Sequence, residues 1–246
     1  MSSVETGSSP EVVLVTGASS GIGRATAQAI AKEGGKVVLF ARRRQLLESL
    51  ADTLNAGESP QAVAVAGDVS CWEDCVAAVE AARALGELTA LVNAAGAWAD
   101  GPFDAIDPGE LRHFVDTDVA GALQITRAAL HVMKQNGRGR VLHINGLQGF
   151  LRMRGPVAYA AVESAVRGLC ESLRWEAATY GVHVSLLTLG GVSMEDHPDA
   201  SSLYSDGQRQ LLRKSEVVAA VMFMLGQPSG VNVDELVLTP LGLRLW

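Results

Sequence analysis

An apolar run, Val12-Val13-Leu14-Val15, passes directly into Thr16-Gly17-Ala18-Ser19-Ser20-Gly21-Ile22-Gly23, and a helix-forming stretch follows as far as Glu33. No other feature restricts the fold as tightly. A continuous apolar strand has to be covered on both faces, as in a parallel sheet sandwiched between helices. Glycines between strand and helix allow a sharp turn and a close approach of backbone to ligand. The helix start adds free N–H groups and the positive end of the dipole, which together suit a pyrophosphate.

The same alternation runs to the end of the chain. Strands are predicted at residues 37–40, 62–66, 90–92, 140–144, 182–189 and 235–238. Helices are predicted from Gly21 to Glu33, stopped by Gly34-Gly35, and from Arg44 to Asn55. A third opens on the capping-box spacing Ser70/Glu73 and ends near Leu85. Asp107-Pro108, an N-cap followed by proline at the first helical position, opens a long helix to about Gln135. Two more run from Pro156 to Tyr180 and from Ser215 to Leu225. Strands separated by helices make a single α/β domain, a doubly wound parallel sheet of Rossmann-like type over residues 11–246, behind a flexible N-terminus, 1–10. Gly190 to Gln210 lacks a regular pattern and reads as a mobile loop on the substrate side.

A chain of 246 residues with 48% hydrophobic content is large enough for one core. Its net charge of −7 argues against general binding of nucleic acid, which needs a basic surface. No apolar run approaches the length of a membrane span, and the polar stretch Met1 to Pro10 is not a signal peptide. Cys71, Cys75 and Cys170 do not make a disulfide framework, and without a nearby His they read as reduced thiols rather than metal ligands, as in the cytoplasm.

The glycine loop predicts a nucleotide held by Gly17, Ser19, Ser20, Gly21, Ile22 and Gly23. At the end of the second strand an acid would bind a ribose 2′-hydroxyl, whereas arginine accommodates a 2′-phosphate. The chain has Ala41-Arg42-Arg43-Arg44 there. Arginine's planar fork suits phosphate, so NADP(H) is expected, with Arg42 the principal contact and Arg24 a helper. Asp68-Val69, past the third strand, is placed to touch the adenine.

These motifs resemble the short-chain dehydrogenase/reductase family over nearly the whole chain. Thr-Gly-x-x-x-Gly-x-Gly is intact at Thr16 to Gly23, and Asn93-Ala94-Ala95-Gly96 matches the family's Asn-Asn-Ala-Gly with one change. Tyr159 falls on the catalytic tyrosine. The resemblance implies that Asn93, Ala94, Gly96, Tyr159 and Gly190 also face the cofactor. It implies a homodimer or homotetramer paired through the two long helices, with Leu123, Ala128, Val166, Leu169 and Leu173 partly in the interface.

The reaction centre departs from the family. Its serine position, thirteen residues before the tyrosine, is Gly146; its lysine position is Glu163; its asparagine position is Asp118. Leu189-Gly190 replaces a proline-glycine pair, and Ser193 is the nearest candidate for the threonine that follows. Tyr159 and Glu163 are four residues apart and share a helix face. A charge about 5 Å away at an effective dielectric near 20 is worth about 3 kcal/mol, or roughly two pKa units. An anion in place of a cation leaves the phenol neutral, a poor base but a usable acid, so reduction is favoured over oxidation. Asn145 should point away from Gly146 by strand alternation, and Gln148 is the substitute donor. His143 reads as a packed histidine. In the family the counterparts of Asp118 and Glu163 are joined by a water relay. Two carboxylates there would share a proton that feeds Tyr159, unless both are solvated or ion-paired.

Trp98, Asp100, Phe150, Leu151, Arg152, Met153 and Arg154 follow the fourth and fifth strands, at the carboxyl ends where ligands bind, and suggest an apolar or aromatic small-molecule substrate. Three functions stay open on sequence. One is an NADPH-dependent carbonyl reductase with Tyr159, Glu163, Asp118 and Gln148 at its centre. The others are a non-redox proton-transfer enzyme (isomerase, dehydratase or cyclase) and a dinucleotide-binding protein without catalysis.

Overall fold

The computed structural model describes residues 12–57, 62–97, 101–148, 157–195, 203–205 and 208–242. Seven parallel strands form one sheet in the order β3-β2-β1-β4-β5-β6-β9. They are β1 (Val12–Thr16), β2 (Lys36–Ala41), β3 (Ala62–Ala66), β4 (Leu88–Asn93), β5 (Gly139–Gly146), β6 (Val182–Leu189) and β9 (Glu235–Leu238). Helices α1 (Gly21–Lys32), α2 (Arg44–Leu54) and α3 (Trp72–Leu85) link the first four strands. α4 (Pro108–Val115) runs through a π-turn at Asp116–Ala120 into α5 (Gly121–Asn136). α6 (Val157–Ala178) joins β5 to β6, and α7 (Lys214–Leu225) precedes β9. The segment expected to be an irregular loop contains a two-stranded antiparallel ribbon, β7 (Tyr204–Ser205) with β8 (Gln208–Arg209).

Side-chain alternation divides the core. Val12 and Leu14 face one layer with Cys75 and Val79 of α3, Ile125 and Met133 of α5, and Val166 and Cys170 of α6. Val13 and Val15 face the other, against Ile30, Leu47 and Leu50 from α1 and α2 and Val217 and Met224 from α7. Burying both faces explains the continuous apolar reading of the strands. A fully buried Leu or Val contributes about 1.5–3 kcal/mol. α6, which carries Tyr159 and Glu163, is also tied to the last strand by the paired contacts of Arg167 with Glu235, at 2.6 Å each.

Two local expectations fail. The Ser70/Glu73 capping box does not form, because Cys71 is the N-cap of α3 and its thiol donates to the Glu73 carboxylate rather than capping the helix. Ser70 instead bonds Asp68 through both its N–H and its hydroxyl, while Asp74 accepts from the Asp68 N–H. Ala128 and Val166, assigned to an interface by resemblance, are core residues at 6% and 7% exposure. Asp107 does cap α4, accepting from the N–H groups of Gly109 and Glu110. Among the described residues no helix is long and apolar enough to cross a membrane.

Candidate active site

The chain runs outward from β1 to β3, then crosses to β4 on the other side of β1. Adjacent connections therefore part at the carboxyl ends of β1 and β4, where open α/β sheets place their ligands. A cavity of about 840 Å³ lies there.

Its first wall is the glycine loop. Thr16 Oγ1 accepts from the N–H groups of Ala94 and Ala95 and donates to Asn93 Oδ1, fastening β1 to the segment after β4. This fastening forces close contact: a β-carbon on Gly17, whose φ is +65°, would stand 2.5 Å from the Ala94 carbonyl oxygen. Gly17, Ser19, Ser20, Gly21 and Ile22 line the cavity, with Ala94, Ala95 and Gly96 opposite. The loop has no acidic residue in the first turn of α1 and no side-chain cap on it. The helix start is thus left with unsatisfied donors, and the Gly17 contact leaves no room for a side chain; both fit a dinucleotide pyrophosphate.

Two residues of that motif stand behind the wall rather than in it. Gly23 packs on the backbone, where a β-carbon would meet the Gly17 carbonyl oxygen at 2.6 Å. Asn93 is spent internally, bonded to Thr16 Oγ1 and, at 3.2 Å, to His143 Nδ1, its register partner on β5. Neither borders the cavity. They shape the loop from behind.

At the basic rim, Arg42 and Arg43 both border the cavity, as do Asp68 and Val69, while Arg24 does not. Arg42 lies 3.2 Å from His113 Nε2 and 4.0 Å from Asp68 Oδ2. Burial, opposed more strongly by bonds from Ser70 and by the charge of Arg42, leaves the Asp68 carboxyl below its usual range. Arg43 was not anticipated. Its guanidinium bonds Ser19 Oγ and Ser20 Oγ, bending over the loop itself. Its position directly after Arg42 was the only sign of this in the sequence.

The third wall is the altered centre. Tyr159 stacks on Phe114, ring centroids 5.9 Å apart and planes at 5°. Phe114, on α4, is fully buried and is a second unanticipated residue. Its ring fixes the direction of the phenol, whose hydroxyl bonds Glu163. A β-carbon on Gly146 would stand 2.6 Å from that hydroxyl and 3.0 Å from Gln148 Oε1. Gln148 therefore comes to the place from which the missing serine would act. Glu163, 6% exposed, accepts from the Gly146 N–H at 2.5 Å. Asp118 accepts from the Ala97 N–H at 2.7 Å and borders the same cavity.

Burial dominates the electrostatics here. It pushes the Asp118 carboxyl up to about 7, against the pull of the Ala97 N–H and with help from the charge of Glu163. Glu163 is raised by burial too, although its bonds from Gly146 and Tyr159 oppose the shift. The phenol of Tyr159 is raised well above its ordinary value, first by burial, then by Glu163 and Asp118. Glu163 lies beside Tyr159 as the i, i+4 spacing implies, and burial raises the phenol more than charge does.

Other expectations divide. Asn145 turns toward α6, its Nδ2 donating to the Glu163 backbone carbonyl, and it borders the cavity; its Oδ1 is buried and finds no partner among the described residues. His143 is a packed histidine, bonded to Thr126 and Asn93, with burial pushing it down to about 4. Gly190 borders the cavity, as do Gly191, Val192 and Met194. Ser193 does not; it is buried, and its N–H donates to the Leu212 carbonyl. Trp98, Asp100, Phe150, Leu151, Arg152, Met153 and Arg154 lie outside the described residues.

The fold and this wall of glycine, serine and tyrosine define a nucleotide-binding α/β enzyme scaffold. A sequence profile described as short chain dehydrogenase matches residues 11–201, and the chain belongs to that family of oxidoreductases. An uncharacterised oxidoreductase of Listeria monocytogenes is 30% identical over 242 residues, 94% of this chain and 96% of the relative. A short-chain dehydrogenase from Streptomyces avermitilis is 30% identical with a TM-score of 0.78, covering 94% of this chain and 88% of that one. An alcohol dehydrogenase from Thermococcus sibiricus, complexed with 5-hydroxy-NADP, is 25% identical with a TM-score of 0.81, covering 95% of this chain and 98% of that one.

Proposed function

We propose that this chain is an NADPH-dependent carbonyl reductase with a non-standard centre, acting on an apolar or aromatic ketone, with Tyr159 as a neutral proton donor. The observation that carries the reading is the buried Tyr159 hydroxyl, held against Glu163 in the same cavity as the glycine loop, a setting that keeps its proton by raising the phenol above its ordinary value. Arg42 and Arg43 are the cationic groups on the rim suited to a 2′-phosphate, and the Thermococcus relative was solved with an NADP derivative. Bound NADPH supplies hydride to the carbonyl carbon.

The chain's own residues handle the proton. Phe114 aims the phenol, and the Tyr159 hydroxyl turns from Glu163 to the substrate oxygen as negative charge develops there. Gln148 reaches the same spot with Oε1, and turning its amide over would present Nε2 as a second donor to that oxygen. Asp118, raised to about 7, holds a proton near neutrality for return to the tyrosine. The test is nicotinamide absorbance with a panel of apolar and aromatic ketones and the matching alcohols. Reduction should exceed oxidation at neutral pH after correction for equilibrium, and Tyr159→Phe should abolish most of it. Equal rates in both directions would count against the reading.

A second reading is binding without catalysis, favoured by one observation: the proton Tyr159 would give to substrate is engaged by Glu163. Tight NADPH binding with no turnover would support it. A third, proton transfer without redox change, draws on the Asp118 carboxyl near neutrality. Product formed at constant nicotinamide absorbance would support that. A homo-oligomer is also proposed through the outer faces of α5 and α6, where Leu123 and Trp175 are 48% and 82% exposed.

A further inference from the structure

The inner wall of the cavity carries negative charge and no cation among the residues that line it there. Asp118 and Glu163 place two carboxylates on it. Asn145, 4% exposed, adds a carbonyl oxygen, Oδ1, with no partner among the described residues. The orientation of that amide is fixed, because its nitrogen must face the Glu163 backbone carbonyl. Three inward donors are occupied, the Gly146 N–H on Glu163, the Ala97 N–H on Asp118 and the Tyr159 hydroxyl on Glu163, while the Thr117 hydroxyl and the Gln148 amide also border the cavity. The arginines lie at the far rim, beside the glycine loop.

Negative charge around a substrate favours a positive charge on it. We propose that the site also takes a cationic carbon–nitrogen double bond, an iminium ion, whose charge faces Asp118 and Glu163, with the unpartnered Asn145 Oδ1 adding negative potential behind them. This inference rests on the reading of the cavity as an NADPH site. The step balances without a proton from the wall. Hydride passes from reduced nicotinamide to the iminium carbon, and the C=N π pair becomes the lone pair of the product amine. The nicotinamide is oxidised to a pyridinium. One positive charge enters on the substrate and one remains on the cofactor, so the carboxylate pair faces a single cation throughout. Neither the hydroxyl missing at Gly146 nor the cation missing at Glu163 is then required.

The test compares an N-methyl dihydroisoquinolinium salt and protonated dihydroisoquinoline with tetralone, their neutral carbonyl counterpart, on the NADPH-loaded protein. The iminium ions should be reduced with kcat/KM about tenfold or more above the ketone, a difference of one pKa unit in binding terms. Binding gives a second readout: by calorimetry, the non-reducible tetrahydroisoquinolinium ion should bind the NADPH complex about tenfold more tightly than tetralol. Asp118→Asn with Glu163→Gln should bring both ratios close to one. A ketone reduced as well as the iminium ions, an ammonium bound no better than the alcohol, or ratios that survive the double substitution would each overturn the proposal. Failure of the NADPH reading would look different: the nucleotide itself would not bind, and the ammonium preference would still be measured on the free protein.

Discussion

Tyr159 and Gly146 share one volume: a serine β-carbon at residue 146 would overlap the phenol, 2.6 Å from its oxygen and 2.7 Å from Cε1. The missing serine is therefore built into the position of the tyrosine, whose ring cannot retreat freely from Phe114. Gly146→Ser, which restores the family residue, should harm the protein rather than repair it. Overpacking of this kind costs about 1–3 kcal/mol. At this chain length each kcal/mol lowers Tm by roughly 2–4 °C. Thermal denaturation measures this, and a Tm equal to that of the parent chain would show that Tyr159 yields easily.

Glu163 raises the phenol through its charge, second only to burial. Glu163→Gln keeps the size and removes the charge. The Tyr159 transition in an ultraviolet titration, isolated by difference against Tyr159→Phe, should move down by as much as about two pKa units. It should still stay above the ordinary value, because burial is the larger cause and remains. Phenolate near neutrality in the parent chain would contradict the assignment of a neutral donor.

The sign of the pH dependence follows from Asp118. Burial pushes its carboxyl up to about 7 in the fold, from an ordinary aspartate value of about 3.9 in the unfolded chain. Between these values the folded chain holds a proton that the unfolded chain has released, so stability falls as pH rises through the window and levels off above it. Glu163, raised as well, contributes with the same sign. Asp118→Asn retains an acceptor for the Ala97 N–H and removes the titration. The variant should gain about 1–3 kcal/mol relative to the parent above the window, and nothing below it. Denaturant midpoints across the range would show this, and parallel profiles for the two proteins would refute it.

What the sequence made legible were features with a local cause. Apolar runs covered on both sides gave the central strands such as Val12–Thr16, and Asp107-Pro108 gave the start of α4. The i, i+4 spacing placed Glu163 beside Tyr159. What it hid were choices among partners distant in the chain. Asn93 lies in a family motif, yet its amide turns to Thr16 and to His143, fifty residues on, and not to the ligand. Ser70 has a helix cap's spacing from Glu73, but Asp68 captures it first. Phe114 was hidden because its stack with Tyr159 depends on how α4 packs on α6. Asn145 departed from simple alternation because the strand ends there, at Gly146, and the side chain finds the Glu163 carbonyl.

The two arginines at the rim are separable by experiment. Arg42 is held between His113 and Asp68, and the charge it brings to a 2′-phosphate is partly offset by that carboxylate. Arg43 bonds the neutral hydroxyls of Ser19 and Ser20, and either can release it to a phosphate without leaving a charge unpaired. A charge-assisted hydrogen bond is worth about 1.5–3 kcal/mol. Arg43→Ala should thus weaken NADPH by about tenfold to a hundredfold and leave NADH nearly unchanged. Arg42→Ala should do less, since it also frees Asp68 to repel the phosphate or accept from a ribose hydroxyl, and it should shift preference toward NADH. Fluorescence titration of both cofactors with both variants decides the order. An Arg42→Ala loss larger than that of Arg43→Ala would return the principal role to Arg42, and equal losses of NADH and NADPH would remove the 2′-phosphate from the rim altogether.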